Sequence, residues 1–175
     1  MTQDVVADDI PHDLAGWFGK VMVVSKPVAI VETGAIEAFA AAIEDANPLY
    51  WDDDAARVIA GGRVAPPALL SAWTRPNRWA PADEPAERPL ELHFRVKERL
   101  GYPNAVVVGA STMFMAPARP GDIICAEQVL AGIGPVTQNR LGEGRFWRLL
   151  VHYRRQDGVL LGTETLKFFG YGDAR

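Results

Sequence analysis

The chain has one cysteine, Cys125, in 175 residues. No internal disulfide can form, so the expected setting is a reducing, cytoplasmic one. Histidine is nearly as scarce. His12, His93 and His152 are scattered, with no cysteine pair nearby, and that set of donors argues against a zinc site or any other metal centre. There is no excess of positive charge either. Eighteen Lys and Arg against 22 Asp and Glu leave a net charge of −4, which offers no general attraction to nucleic acid or anionic membrane. No apolar run approaches the ~20 residues needed to cross a bilayer. The opening MTQDVVADDIPHD is acidic where a secretory leader would be basic and then apolar, so no signal peptide is expected.

What is present is the composition of an ordinary globular protein, 49% hydrophobic and 23% charged. The length suits one domain able to bury about two-thirds of its unfolded surface. Residues 1–15 are expected to form a flexible N-terminal arm and 16–175 a single domain. Val and Ile are dense over 20–31, which reads as a first strand. Over 33–45 the period changes: Ile36, Phe39, Ala40 and Ile43 make an apolar stripe on one helix face. Pro48 stops that helix, because the residue before a proline is pushed out of the α region.

A second short helix is expected over 66–74, opening at Pro66-Pro67, where missing amide hydrogens are tolerated. It carries Leu69, Leu70 and Trp73 and no charge before Arg75, the composition of a helix enclosed by other structure. Pro76, Pro81, Pro85 and Pro89 then make a proline-rich connection. Residues 90–97 alternate like a strand, yet the following Glu98-Arg99-Leu100 would suit a helix, and both readings stay open. Four strands are expected at 105–115, 122–132, 145–155 and 159–169. In the third, Trp147, Leu149, Val151 and Tyr153 alternate on one face, and Gln156-Asp157-Gly158 is a tight turn into the fourth. One strand, then helices, then a run of antiparallel strands indicates an α+β fold. No internal repeat is present.

Five segments, in this order and spacing, carry a resemblance. They are Phe39-Ala40 with Asp45-Ala46-Asn47-Pro48-Leu49-Tyr50; Gly61-Gly62-Arg63-Val64-Ala65-Pro66-Pro67; Ala116-Pro117-Ala118-Arg119-Pro120-Gly121-Asp122; and Tyr153-Arg154-Arg155-Gln156-Asp157-Gly158. Together, over roughly residues 20–172, they resemble the MaoC-like hydratase/dehydratase family, in particular its N-terminal-dehydratase-type members. That resemblance implies a single hotdog fold, an antiparallel sheet wrapped around a central helix. It also implies addition of water to an enoyl thioester, or its removal from a 3-hydroxyacyl thioester. Coenzyme A or acyl carrier protein would carry the acyl group as substrate, with no resident cofactor. In the family an Asp and a His of D-x-N-P-L/I-H act as general base and acid, and backbone N–H groups polarise the thioester carbonyl as negative charge develops on its oxygen.

Carried over by position, Asp45 is the family's carboxylate, Asn47-Pro48 shapes its loop, and Tyr50 stands where the histidine would be. A phenol with a pKa near ~10 can donate a hydrogen bond but is a poor base at neutral pH. The family's A-H-G, whose glycine amide serves the oxyanion, is here Ala65-Pro66-Pro67, and proline has no amide hydrogen to give. Trp51 either packs or lines an acyl pocket. Arg63, Arg75 and Arg78 either meet the phosphates of coenzyme A or are ordinary surface charge. His152 is expected to be solvated. His93 is not spaced to replace the missing imidazole, although the fold could bring it near.

Four functions compete. The foremost is a degenerate subunit of a heteromeric hydratase, its missing groups coming from a second hotdog subunit and its own pocket widened for a bulky acyl group such as a sterol side chain or long fatty acid. A homodimer using Asp45 as base and Tyr50 as donor is the second. A thioesterase would need a carboxylate in the central helix, and 66–74 contains none. A non-enzymatic acyl-thioester binding protein is the fourth.

Overall fold

Strand-forming residues dominate the second half of the chain, and they build the sheet on which everything else rests. The computed structural model describes residues 7, 9–25, 27, 29–76 and 88–172. Its strands are β1 (Val21–Ser25), β2 (Asn104–Phe114), β3 (Ile124–Asn139), β4 (Gly142–Arg155) and β5 (Leu160–Tyr171). They form one five-stranded sheet in the order β1-β3-β4-β5-β2, with every neighbouring pair antiparallel. The last four fall where the sequence places them, and β3 runs seven residues past its expected end.

Alternation fixes which face of the sheet is covered. Trp147, Leu149, Val151 and Tyr153 of β4 are all buried, as are Leu166 and Phe168 of β5. Between β4 and β5 the expected turn closes with Gly158 at φ +86° and with Arg155 N–H donating to the Val159 carbonyl at 2.9 Å. Helices α2 (Thr33–Ala42) and α5 (Glu91–Arg99) each add fully buried side chains to the same core, Ile36 and Ala40 from the first and Leu92 and Val96 from the second. This is the expected α+β arrangement, and 90–97, which the sequence left between strand and helix, is largely the helix α5.

Several elements differ from expectation, each for a local reason. The helix expected to reach Asp45 ends at Ala42. Glu44 takes φ +56°, and its N–H and that of Asp45 fold back onto the carbonyls of Ala41 and Ala40, the paired bonds of a Schellman stop. Ile43 consequently leaves the stripe and is exposed. The enclosed helix expected over 66–74 is two 3-10 turns, Pro67–Leu69 and Ala72–Thr74. Two successive prolines remove two amides, and the bonds that form, Leu69 N–H to Pro66 and Leu70 N–H to Pro67, span only three residues. Leu70 and Trp73 are nevertheless both buried to 6% exposure, as an enclosed segment requires.

The first strand is shorter than 20–31, since beyond Ser25 the described pairing is a lone Ile30–Ile123 bridge. Within the arm expected over 1–15, Asp9 and Leu14 make tertiary contacts. Leu14, in the one-turn helix α1 (His12–Ala15), is fully buried, and Arg145 donates to both carboxylate oxygens of Asp9, at 2.9 and 2.5 Å. Residues 1–6 and 8 lie outside the described residues. Two short helices missing from the sequence reading, α3 (Pro48–Trp51) and α4 (Asp53–Ala60), follow α2.

Candidate active site

The segment 45–51 is shaped by its own side chains. Asp45 Oδ1 accepts the N–H of Asn47 at 2.9 Å, and Asn47 Oδ1 accepts the N–H of Leu49 at 3.1 Å. Asn47 thereby caps α3, and Pro48 takes the first helical position, where its missing amide is harmless. The Trp51 indole N–H donates to the Asp45 carbonyl at 2.8 Å, so the last residue of α3 fastens the residue that carries the carboxylate. Asp45 itself is half-buried.

Tyr50 points inward, with 6% of its surface exposed. Burial pushes its phenol above the ordinary value of 10.0, and the Asp45 charge pushes it further the same way, partly offset by a hydrogen bond with Asn47. The hydroxyl is therefore a proton-bearing group throughout the neutral range and no base. His93 does not fill the gap. Its ring stacks on Phe168 at 4.1 Å and Trp147 at 5.5 Å between centroids, and none of its described contacts is with Asp45 or Tyr50.

Arg63 lies beneath this loop. Its Nε donates to Asp53 at 2.6 Å, Nη1 to Glu37 at 2.5 Å and to the Tyr50 carbonyl at 3.3 Å, and Nη2 to the Trp51 carbonyl at 3.1 Å. Every guanidinium nitrogen of the residue expected to meet phosphate thus has a partner within the chain. Arg119 adds a second fastening. It donates to the carbonyls of Gly62 at 3.0 Å, of Arg63 at 3.3 Å and of Ala60. Gly61 and Gly62, at φ +73° and +135°, adopt backbone that other residues resist, which turns those carbonyls toward Arg119. Asp122 Oδ2 holds the Arg119 amide at 2.7 Å. The G-G-R and R-P-G-D segments are two halves of one clasp.

Just beyond it, Ala65 N–H donates to the Ala118 carbonyl at 2.8 Å, and Pro66 and Pro67 have no N–H. Three successive residues therefore offer no amide to a substrate oxygen. They line an apolar cavity of about 180 Å³ together with Leu70, Leu161 and residues 114–118. A second cavity, of about 350 Å³, contains Arg75. Arg78 lies outside the described residues. Sequence reasoning missed Glu37 and Asp53 as partners of Arg63, and no local signal marks either one. It also left Phe114, Met115 and Leu161 unassigned, although the motif 116–122 pointed to their neighbourhood.

Residues 17–164 match the family described as the FAS1-like dehydratase domain region. Over 127 residues the chain is 35% identical to a probable enoyl-CoA hydratase alpha subunit of Thermomonospora curvata, covering 70% of this chain and 39% of that protein. It is 32% identical over 106 residues to the 3-oxo-4,17-pregnadiene-20-carboxyl-CoA hydratase alpha subunit of Mycobacterium tuberculosis, covering 60% of this chain and 33% of that one. The chain thus spans well under half the length of these curated relatives. Among solved structures, the ChsH1-ChsH2 complex of M. tuberculosis superposes with a TM-score of 0.70 at 24% identity, over 88% of this chain and 85% of that one. The MaoC-like dehydratase of Rhodospirillum rubrum does so at 0.60 and 20%, over 89% and 95%. These likenesses establish the hotdog fold of MaoC-like dehydratases. With the family model matched over most of its length, the chain belongs to the FAS1-like dehydratase domain family.

Proposed function

We propose that this chain is the degenerate hotdog subunit of a heteromeric acyl-thioester hydratase or dehydratase. It holds part of the acyl group while a second hotdog subunit provides the acid, the base and the oxyanion donor. The observation that carries this reading is the pairing of two deficits at one place. Tyr50 is a buried phenol, held in its protonated form, where the family has an imidazole that can both give and take a proton, and 65–67 presents no available amide where a donor is needed. An acid/base group contributes roughly 10²–10⁴ in rate and an oxyanion donor about 10²–10³. Either deficit alone would cripple an isolated chain.

The apolar cavity against Ala65, Pro66 and Pro67 suits an acyl chain, and the 3-10 turn Pro67–Leu69 borders it. The alpha-subunit names of the relatives and the paired ChsH1-ChsH2 structure support a partner. So does β2, an edge strand that exposes Val107, Val108, Met113 and Phe114, apolar surface of the kind that pairing covers. The pregnadiene carboxyl-CoA named for one relative favours a bulky, polycyclic acyl group on coenzyme A over a short one. No helix among the described residues is long and apolar enough to cross a membrane, and a reducing cytoplasm suits the lone Cys125. The thioester is substrate, with no resident cofactor.

The test is crotonyl-CoA hydration by the purified chain alone, then with a partner subunit carrying an intact D-x-N-P-x-H and A-H-G. Turnover only in the mixture supports the reading. Rapid turnover by the chain alone would transfer the assignment to a catalytic homodimer using Asp45.

A further inference from the structure

The second cavity contains chemistry that the hydratase motif does not use. Its walls include Val107, Val151 and Leu166, yet Ser71, Arg75, Gln128, Tyr153 and Glu164 also line it. Glu164 stands on the covered face of β5, in register with Val151 of β4, in a stretch where burial would favour an apolar side chain. Tyr153, 3% exposed, donates its hydroxyl to Glu164 Oε2 at 2.6 Å. Burial first, and then this bond and the carboxylate charge, hold the phenol far above its ordinary range, so Tyr153 is a permanent donor and Glu164 its acceptor. Gln128 is already engaged, accepting the Leu92 N–H at 3.0 Å and donating to Ser25 at 3.2 Å. Glu164 Oε1 has no partner among the described residues.

An inward carboxylate oxygen, oriented by a buried phenol and facing a cavity, accepts hydrogen bonds and can give none. The volume, about 350 Å³, lies within the range of ~300–1,000 Å³ typical of small-molecule sites. The two cavities are lined from adjacent stretches of the same elements. The first is lined by Leu70 and Leu161, and the second by their near neighbours Ser71 and Glu164. Leu70 lines the first cavity and packs where Gly162 has no side chain, since a Cβ there would stand 2.7 Å from Leu70 Cδ2. A long acyl group entering past Ala65–Pro67 and displacing the end of one leucine side chain would reach Glu164 with its far end.

We propose that the second cavity takes the distal end of the acyl group, and that Glu164, held by Tyr153, makes the subunit selective for acyl groups bearing a hydroxyl there. The inference rests on the acyl-thioester reading above. A hydroxyl donates to Glu164 Oε1. A ketone brings a second acceptor to Glu164, and only the other donors of the wall, Ser71 and Arg75, or Tyr153 at the cost of its bond to Glu164, could serve it. A plain hydrocarbon leaves the carboxylate oxygen without a partner.

The experiment is calorimetric titration of the purified chain, alone and with its partner subunit, with three coenzyme A thioesters. All share one tetracyclic skeleton and differ only at the far ring, as hydroxyl, ketone or hydrogen. The hydroxyl form is expected to bind about tenfold tighter than the other two, the scale of a hydrogen bond to a charged group. The near-isosteric Glu164→Gln should cut that preference to about threefold or less, as for a neutral bond. Equal binding of all three by the wild-type chain overturns the proposal without recourse to any variant, and so does a preference that survives Glu164→Gln. In both cases the acyl-thioester reading still stands. If none of the thioesters binds with or without the partner, that reading fails and this proposal falls with it.

Discussion

Asp45→Asn separates the two ways this chain could take part in catalysis, because the substitution leaves the architecture in place. Asp45 Oδ1 accepts the Asn47 N–H, and the Trp51 indole holds the Asp45 carbonyl. An asparagine keeps both acceptors in position. The change is from a charged to a neutral acceptor, which costs about 1 kcal/mol or less in stability. Thermal unfolding should therefore shift little. Catalysis responds on another scale: a carboxylate that moves a proton in the rate-limiting step is worth roughly 10²–10⁴ in rate. The assay is loss of enoyl-thioester absorbance with crotonyl-CoA, for wild type and variant, each alone and mixed with a motif-bearing partner. The mixture should keep its rate within about twofold on Asp45→Asn, since the partner's groups form the transition-state contacts. Tyr50→His in the isolated chain should recover little, because 65–67 would still lack a donor. A chain that turns over rapidly by itself and loses that activity on Asp45→Asn would refute the reasoning.

Arg63→Met should destabilise the chain by about 2 kcal/mol, since two carbonyls and Glu37 lose their donor together. Thioester affinity, measured below the melting temperature, should change less than about twofold; a tenfold loss with unaltered melting would show that the guanidinium meets phosphate instead. Burial, and secondarily Lys97, hold His93 down to about 4, and its Nδ1 has no hydrogen-bond partner among the described residues. The unfolded chain, titrating near 6.5, takes up the proton first as pH falls, so this contribution is full above about 6.5 and lost on acidification toward 4. Discounted for the ring's partial exposure, it is on the order of 2 kcal/mol, and urea titrations from pH 7 to 4.5 should lose about that much stability in wild type but not in His93→Phe. Along the exposed edge, Val108→Lys with Met113→Lys should shift light scattering of micromolar protein from a dimer or larger toward the monomer mass; a wild-type monomer would contradict the shared-site reading.

How much of this was legible depended on how local the cause was. The strands β2 to β5 and the turn at 156–158 could be read because alternation and turn chemistry are written in adjacent residues. The motif loop was legible for the same reason, as Asp45, Asn47 and Leu49 bond to one another in sequence and Pro48 sets the helix start between them. The end of α2 was not, because Glu44 adopts a conformation normally left to glycine or asparagine. Residues 90–97 fit both periods, and only burial of Leu92 and Val96 against the sheet decided for helix. The prolines at 66 and 67 were read as a helix start and proved to start only a 3-10 turn. Nothing near Arg63 names Glu37, 26 positions away, as its partner. Glu164 reads as an ordinary strand residue until the fold turns it inward beside Tyr153.

Arg119 reaches back 57 positions to Gly62, and this sets an order of events during folding. The turn that carries it joins β2 to β3, yet these strands are not neighbours. β4 and β5 lie between them in the sheet. Arg119 is therefore expected to come to rest only after the last two strands have inserted, since contacts so remote in sequence require a long loop to close first. The Asp45 loop, whose motif is complete in the first third of the chain, waits for the C-terminal hairpin before its clasp shuts. The chain has five tryptophans, so the signal of Trp51, the indole seated on Asp45, is the difference in refolding fluorescence between wild type and Trp51→Phe, and it should lag behind the far-ultraviolet signal of the sheet. A chain still missing β5 would carry the whole motif and no site.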